Sequence, residues 1–541
     1  MGRSRTSIRF ALGSTAVAAL LLQAASAGAV TIAIDATAKV HPINPMIYGA
    51  AFASTKALTD LNLPLNRSGG NATSTYNWLT NASNRANDWY YESYPDPDAG
   101  KGKSADQFVN STKQAGAQPI LTVPLVGWVA NLGNNRAILP SFSVAKYGAQ
   151  CSTDFWFPDA GNGLKPDCST PITGNDPADA YVPDSTAAEK KWIQHIVGKW
   201  GPSAGGGVNY YAMDNEASIW FSTHRDVHPV GPHGVEYRDK VIAMSAAIKA
   251  VDSNAKIMAP EEWGWSGYQL SGYDQQYAPQ HGWSVFPDRD GPQSGLDYIP
   301  WLLKSWKKSG HPVDVVSIHF YPQSGEFGND TSQSMQLLRN RSTRQLWDPN
   351  YTSESWIGDK VNLIPRLRNW VDTYYDKGTP IAITEYNWGA EKHINGATTL
   401  ADVLGIFGRE QLDMATYWTL PDAKTPAYNA IKMYRNYNGS GGAFGDSSIS
   451  TSAPNPDNLS AFAALRTADG AMTAMVINKN LSSNASITLN LKHFTAAGTA
   501  KVYQLTAANK IKSIANVAWS GGKLTTTVPK QSITLFVLPK S

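Results

Sequence analysis

Cysteine is nearly absent, with 2 residues in 541, and neither sign of charge dominates, because 46 Lys and Arg face 43 Asp and Glu. Past the N-terminus no apolar run approaches the roughly 20 residues that a bilayer span requires, and no internal repeat is visible. These shortages narrow the field. Nucleic acid and anionic membranes are bound by neutralising phosphate with a basic excess, so neither is expected as a partner. An uncharged molecule is.

The N-terminus is the exception to the lack of apolar runs. Arg3, Arg5 and Arg9 precede the stretch Ala11 to Leu22, and Ala25-Ser26-Ala27 or Ala27-Gly28-Ala29 offers a small-residue cleavage site, the plan of an export signal. Its apolar core is too short for an anchor. Residues 1–29 are therefore expected to be removed and the protein to be secreted to an extracellular place, off the membrane. Removal takes three arginines and no acid, leaving 46 − 3 = 43 basic against 43 acidic residues. Cys151 and Cys168 bracket a Gly-, Pro- and Asp-rich loop, and in an exported chain they are expected to form a disulfide. A loop of that size adds about 3 kcal/mol of stability and no chemistry.

About 510 mature residues exceed one core, which predicts a large domain and a smaller one. Strand-like and helix-like runs alternate through the first four fifths of the mature chain, the pattern of a parallel sheet. The strand candidates are Ile47 to Ala53, Leu61 to Arg67, Pro119 to Val126, Val208 to Glu216, Ala255 to Glu262, Val313 to Tyr321, Ile381 to Trp388 and Met414 to Leu420. Amphipathic stretches lie between them, among them Thr186 to Trp200, Val235 to Val251, Leu296 to Lys308 and Val361 to Lys377. The expected fold is α/β, a (β/α)8 TIM-like barrel over residues 46–430. After about Ala430 the texture turns to short alternating strands, MTAMVINKN, ASITLNL, AKVYQLT, KLTTTVP and QSITLFVLP, read as a β-sandwich over residues 431–541. VTIAIDATAKV has the same alternation, so residues 30–45 are expected to join the sandwich.

Two glutamates carry the chemistry. Asn215-Glu216 in YYAMDNEASIW and Glu385 in IAITEYNWG each close a strand-like run and precede aromatics, roughly 170 residues apart. Glycosidic bond cleavage needs one carboxyl that holds a proton for the departing sugar oxygen and one that stays ionised before the anomeric carbon. A barrel can bring both to the C-terminal rim of its strands, where reactive groups gather. Equivalent strand ends offer Arg67, Glu261 and Glu262 with Trp263, His319, Tyr321 and Trp418. Glu261 and Glu262 are rival acids, and Asp214, on the other side of its strand from Asn215, is read as structural. His319 is read as helping to position the ionised acid.

Pyranose faces are apolar and stack on indole rings, so the 18 tryptophans matter. Trp192, Trp200, Trp301, Trp306 and Trp370 fall in helix-like stretches and are read as packing. Trp128, Trp263, Trp388 and Trp418 sit at strand ends and are read as cleft residues. Trp78, Trp89 and Trp220 fit either role.

The segments LNRSGGNATSTYNW, NASNRANDWY, YYAMDNEASIW, VVSIHFYPQ, AITEYNWG and ADVLGIFGREQLDMATYWTL resemble, in order and over nearly the whole mature chain, those of glycoside hydrolase family 44, endoglucanases and xyloglucanases with a barrel and a β-sandwich. The resemblance implies that Glu216 is the general acid/base and Glu385 the nucleophile of a retaining mechanism on β-1,4-glucan polysaccharide, with no cofactor. Arg67 and Tyr321 are expected to reach Glu385 and keep it ionised, Asn215 to bind the sugar 2-hydroxyl, and Asn71 to contact substrate. Two departures stand out. Ala217 follows the acid where the family usually has proline, and Leu79 stands where relatives carry an acid, which weakens transfer of the structural calcium site of some members. Asp154, Asp159, Asp167, Asp176 and Asp179 could hold a cation, although solvated turns are the preferred reading, and no metal ligand is assigned. A monomer is expected. A barrel hydrolase of mannan or xylan, and a carbohydrate-binding protein without turnover, remain alternatives.

Overall fold

The computed structural model describes residues 29–540. The proposed export signal, residues 1–29, lies outside the described residues except for its last position. Eight strands close a parallel barrel in chain order: Gly49–Ala51, Leu65–Ser68, Gln118–Val123, Tyr210–Met213, Lys256–Glu262, Val315–Phe320, Ile381–Tyr386 and Met414–Tyr417. All eight fall within the expected runs or overlap them, and six end earlier than expected because their last residues belong to the rim.

The barrel closes where Thr416 pairs with Gly49 and Tyr417 with Ala50. A Cβ on Gly49 would come within 2.5 Å of the Ala415 carbonyl oxygen and 2.7 Å of Thr416, so only glycine fits this seam. Inward-facing Leu65, Ile120, Ala212, Met258, Val315, Ala382 and Met414 plug the lower barrel, while the alternate residues, such as Tyr211, Ile257 and Ile383, pack outward on the helices. The helix over Thr186–Trp200 starts where expected because the Ser185 hydroxyl accepts from Ala188 N–H. Cys151 and Cys168 are joined, closing the long loop before that helix. Among the described residues no helix is long and apolar enough to cross a membrane.

Beyond the barrel's last helix, Pro426–Arg435, the chain becomes antiparallel. Val30–Asp35 crosses over, pairing antiparallel with Ser447–Ser452 and parallel with Ala485–Lys492, so both chain ends build one β-structure. Its apolar core gathers Ile32, Ile34, Val476, Ile487, Leu489 and Phe536. The central strands bury both faces: Met475, Ile477, Ile533 and Leu535 face away from that core and join the barrel's cluster. They meet the barrel helix Ile394–Arg409, which is buried almost along its length. Gly405 on this helix lies so close to Phe462 that a Cβ would stand 2.2 Å from the ring.

Candidate active site

The alternation that plugs the barrel below would place Thr384 inside and Glu385 outside. The structure breaks it. Register shifts at the ends of the fifth, sixth and seventh strands turn both Thr384 and Glu385 inward, and Glu261, in the left-handed region at φ +56°, does the same beside its outward neighbour Glu262. Asp214 (φ +65°) and Glu216 (φ +49°) are left-handed too. Such backbone in non-glycine residues costs of order 1–3 kcal/mol and clusters at functional sites.

Arg67, wholly buried, is the hub. One guanidinium nitrogen donates to Glu385 at 2.6 Å, and the other to Asn215 at 2.9 Å and Glu261 at 3.1 Å. Tyr321 donates to the second Glu385 oxygen at 2.8 Å. Thr384 donates to Glu261 at 2.9 Å. The buried His319 ring stands between the acids: its Nδ1 is 2.8 Å from Glu216 and 3.6 Å from Glu385, and its Nε2 is 3.3 Å from Glu261. One carboxylate oxygen each of Glu216 and Glu385 lies with a His319 ring nitrogen inside a 4.8 Å span.

The charges follow from these contacts. Burial disfavours the His319 cation, but the Glu385 charge and the bonds to Glu216 and Glu261 outweigh it and hold the imidazole up to about 9. Burial also opposes the Glu261 carboxylate, and Arg67 with His319 nonetheless brings it down to about 2. Glu216 goes the other way. Burial, helped by the Glu385 charge, lifts its carboxyl above the ordinary value against the His319 hydrogen bond. Two cationic groups thus face three carboxylates, and Glu216 is the one shifted toward its protonated form.

Asn215 is oriented by its neighbours. Its side-chain oxygen accepts from Arg67 and from Gly70 N–H at 3.1 Å, which leaves its NH2 pointing toward Asn71, 3.4 Å away. Asn71 in turn donates to both Asp88 oxygens at 3.1 Å. Asp214 is buried and receives the backbone N–H groups of Leu125 and Val126, a structural anchor as expected. Trp418 is half-buried, with the Arg67 guanidinium 5.9 Å from its ring. Trp128 and Trp263 are half-buried on segments after their strands, and the Trp263 indole donates to Gln275 at 3.1 Å.

Trp388 is a correction. It is 2 % exposed, donates to Ser342 at 3.1 Å and packs on Phe320, so it belongs to the wall of the barrel and not to a cleft. It shares a strand face with the outward Tyr386, and period-two geometry carries it away from the opening. Of the three undecided tryptophans, Trp78 and Trp220 are buried and Trp89 is 40 % exposed. The part played by Glu261 was legible only as that of a rival acid, since no sequence signal announces the turn that aims it at Arg67. The five loop aspartates are engaged locally: Asp159 takes Ser143 and Ala145, Asp167 takes Ser169 and Thr170, Asp176 caps Ala178, Asp179 takes Lys146 and Tyr147, and Asp154 takes Trp89 and Trp156. No three of them converge as metal ligands among the described residues.

Comparison with known proteins agrees in one direction. The family model for glycoside hydrolase family 44 matches residues 82–324. The crystal structure of CelM2, a bifunctional glucanase-xylanase from a metagenome library, is 59% identical with a TM-score of 0.93, over 95% of this chain and 99% of that one. A xyloglucanase of family 44 from Paenibacillus polymyxa is 27% identical with a TM-score of 0.79, over 95% and 99%. Endoglucanase A of Paenibacillus lautus is 29% identical over 95% of this chain and 73% of its own length.

Proposed function

This chain belongs to glycoside hydrolase family 44, and from that premise we propose that it is a secreted, monomeric endo-acting enzyme that cleaves β-1,4-glucan backbones, plain or xyloglucan-type, with retention of configuration. Glu385 is the nucleophile and Glu216 the acid/base. The supporting observation is the short span between them: oxygens of the two carboxylates and a His319 nitrogen lie within 4.8 Å. Retaining pairs stand about 5–5.5 Å apart, whereas inverting pairs leave about 6.5–9.5 Å for a water. Catalysis is assigned to residues 46–430, with residues 30–45 and 431–541 as the supporting β-sandwich.

In the first step a Glu385 oxygen bonds to the anomeric carbon while Glu216 gives its proton to the departing glycosidic oxygen. Arg67 and Tyr321 hold Glu385 and stabilise its charge before attack. In the second step Glu216, now ionised, takes a proton from water, which displaces Glu385 and restores both groups. His319 stays protonated through neutral pH and steadies the carboxylate form of Glu216 between the steps. The NH2 of Asn215, its oxygen already occupied, is the donor for the 2-hydroxyl. No cofactor takes part. No structural calcium is assigned, because the five loop aspartates are taken up by local donors; equal thermal stability with and without chelator is the expected result.

Xylan is a second backbone, favoured by the 59% identity to a glucanase-xylanase. Reducing-sugar release from soluble β-glucan, xyloglucan, xylan and mannan sorts these readings, and cleavage confined to mannan would overturn ours. Glu216→Gln should stop hydrolysis yet keep polysaccharide binding; normal hydrolysis by that variant rejects the acid assignment. Azide should restore turnover to Glu385→Ala.

A further inference from the structure

Outside the catalytic cluster the molecule displays aromatic surface that packing does not explain. Trp156 is 75 % and Phe155 84 % exposed, beside Trp89 at 40 %. Leaving a large apolar side chain in water forgoes the free energy that burying it would gain. The rings are nevertheless ordered. Trp89 and Trp156 stand nearly parallel, at 29° with centroids 5.8 Å apart, and Phe155 is perpendicular to Trp156 at 89°.

Their order has a local cause. Asp154, 3 % exposed, grips both tryptophans: one oxygen accepts from the Trp89 indole at 3.3 Å and the other from the Trp156 backbone N–H at 3.1 Å. The disulfide Cys151–Cys168 closes the loop that carries Asp154, Phe155 and Trp156. Trp89 itself lines an open groove of about 480 Å³ whose lining also includes Asp88, Tyr90, Asn162 and Arg225, groups that can bond hydroxyls. A chain of contacts links the groove to the catalytic cluster, because Asn215 meets Asn71, Asn71 meets Asp88 of the groove's lining, and Trp89 is the next residue. The Glu385 charge contributes to the raised Asp88 carboxyl, after burial, which places the two within electrostatic reach.

We propose that Trp89 and Trp156, braced by Asp154 and the disulfide, form a remote platform that stacks pyranose rings of an uncharged polysaccharide as its chain leaves the cleft. The ligand chemistry follows from the surface: flat, uncharged rings for the apolar faces of sugars, next to a carboxylate, an amide and a guanidinium for their hydroxyls. This inference rests on the functional reading above. It assigns the insertion loop a share in holding long substrates, which the two glutamates alone do not supply.

The test is Trp156→Ala, which removes an exposed ring and spares the core, measured on soluble β-glucan and on an aryl cellobioside too short to span both places. The ratio of kcat/KM on polymer to that on the short substrate should fall about three- to tenfold, through KM, and Trp156→Tyr should restore most of it. The double variant Cys151→Ser, Cys168→Ser should lower the ratio in the same direction by less. Equal losses on both substrates, a loss confined to kcat, or an unchanged ratio would each overturn the platform. A parent enzyme that cleaves no polysaccharide would instead overturn the reading on which the platform depends.

Discussion

Two buried ion clusters can be set side by side in this molecule. Between barrel and sheet, Lys479 meets Asp402 at 2.8 Å with both side chains at most 3 % exposed, Thr343 donates to the same Asp402 oxygen at 2.7 Å, and Asn340 both accepts from the Lys479 ammonium at 3.0 Å and donates to the Lys479 carbonyl at 2.9 Å. One cation answers one acid, and the cluster is closed on every side. At the barrel mouth Arg67 and His319 answer Glu216, Glu261 and Glu385, and the Glu216 side chain is 15 % exposed. The same materials make a fastening in one place and, in the other, the pair proposed for catalysis. The difference is a surplus of acid and an open edge, which together leave one carboxyl shifted toward its protonated form where a substrate can reach it.

The comparison can be broken by removing one partner at a time. Lys479→Ala should give the largest effect, about 3–5 kcal/mol of lost stability from an unpaired buried carboxylate, with kcat of the folded fraction intact; denaturant unfolding beside steady-state kinetics checks this, and a large kcat loss would mean that the junction is coupled to the mouth. Arg67→Lys keeps the charge but cannot reach Glu385, Glu261 and Asn215 together. It should lower kcat by about 100- to 1000-fold with a smaller change in melting temperature than Lys479→Ala causes. Tyr321→Phe removes one of two donors to Glu385 and should cost about ten- to a hundredfold in kcat, the worth of a hydrogen bond to a charged group; an unchanged kcat would show that Arg67 suffices.

The smallest effect concerns the neighbours Glu261 and Glu262. Glu262 faces outward from the barrel, where it meets Ser218 and no cation, and burial pushes its carboxyl up to about 8 from an ordinary 4.5. The folded protein therefore keeps a proton that the unfolded chain releases above about 4.5, and this group's contribution is full below that pH and is lost as pH rises toward about 8. In Glu262→Gln the drop in melting temperature between about pH 5 and about pH 8 should shrink by a few degrees, with activity near neutrality retained. An identical drop would show that Glu262 is not the titrating group.

Much of this was readable in advance, and the misses share a cause. The barrel strands, the crossing N-terminal strand and the helix over Thr186–Trp200 follow from periodicity and caps, which are local. Strand ends and neighbouring aromatics marked Glu216 and Glu385, and the structure brings the two together beside one His319 nitrogen. Trp388 was misplaced by the same habit of reading strand ends: the seventh strand shifts register just before it, and a shift of one residue exchanges inside for outside. Glu261 and Glu262 looked alike as adjacent letters. Only the turn at Glu261, with φ +56°, sends one to Arg67 and the other behind the wall.

By itself the sequence determined the order of strands and helices, the neutral balance of charge and the kinds of side chain available, because these depend on spacing and composition. Tertiary structure alone decided which acid meets which cation. Proton affinity is set by neighbours within a few ångströms, and here those neighbours come from strands hundreds of residues apart in the chain.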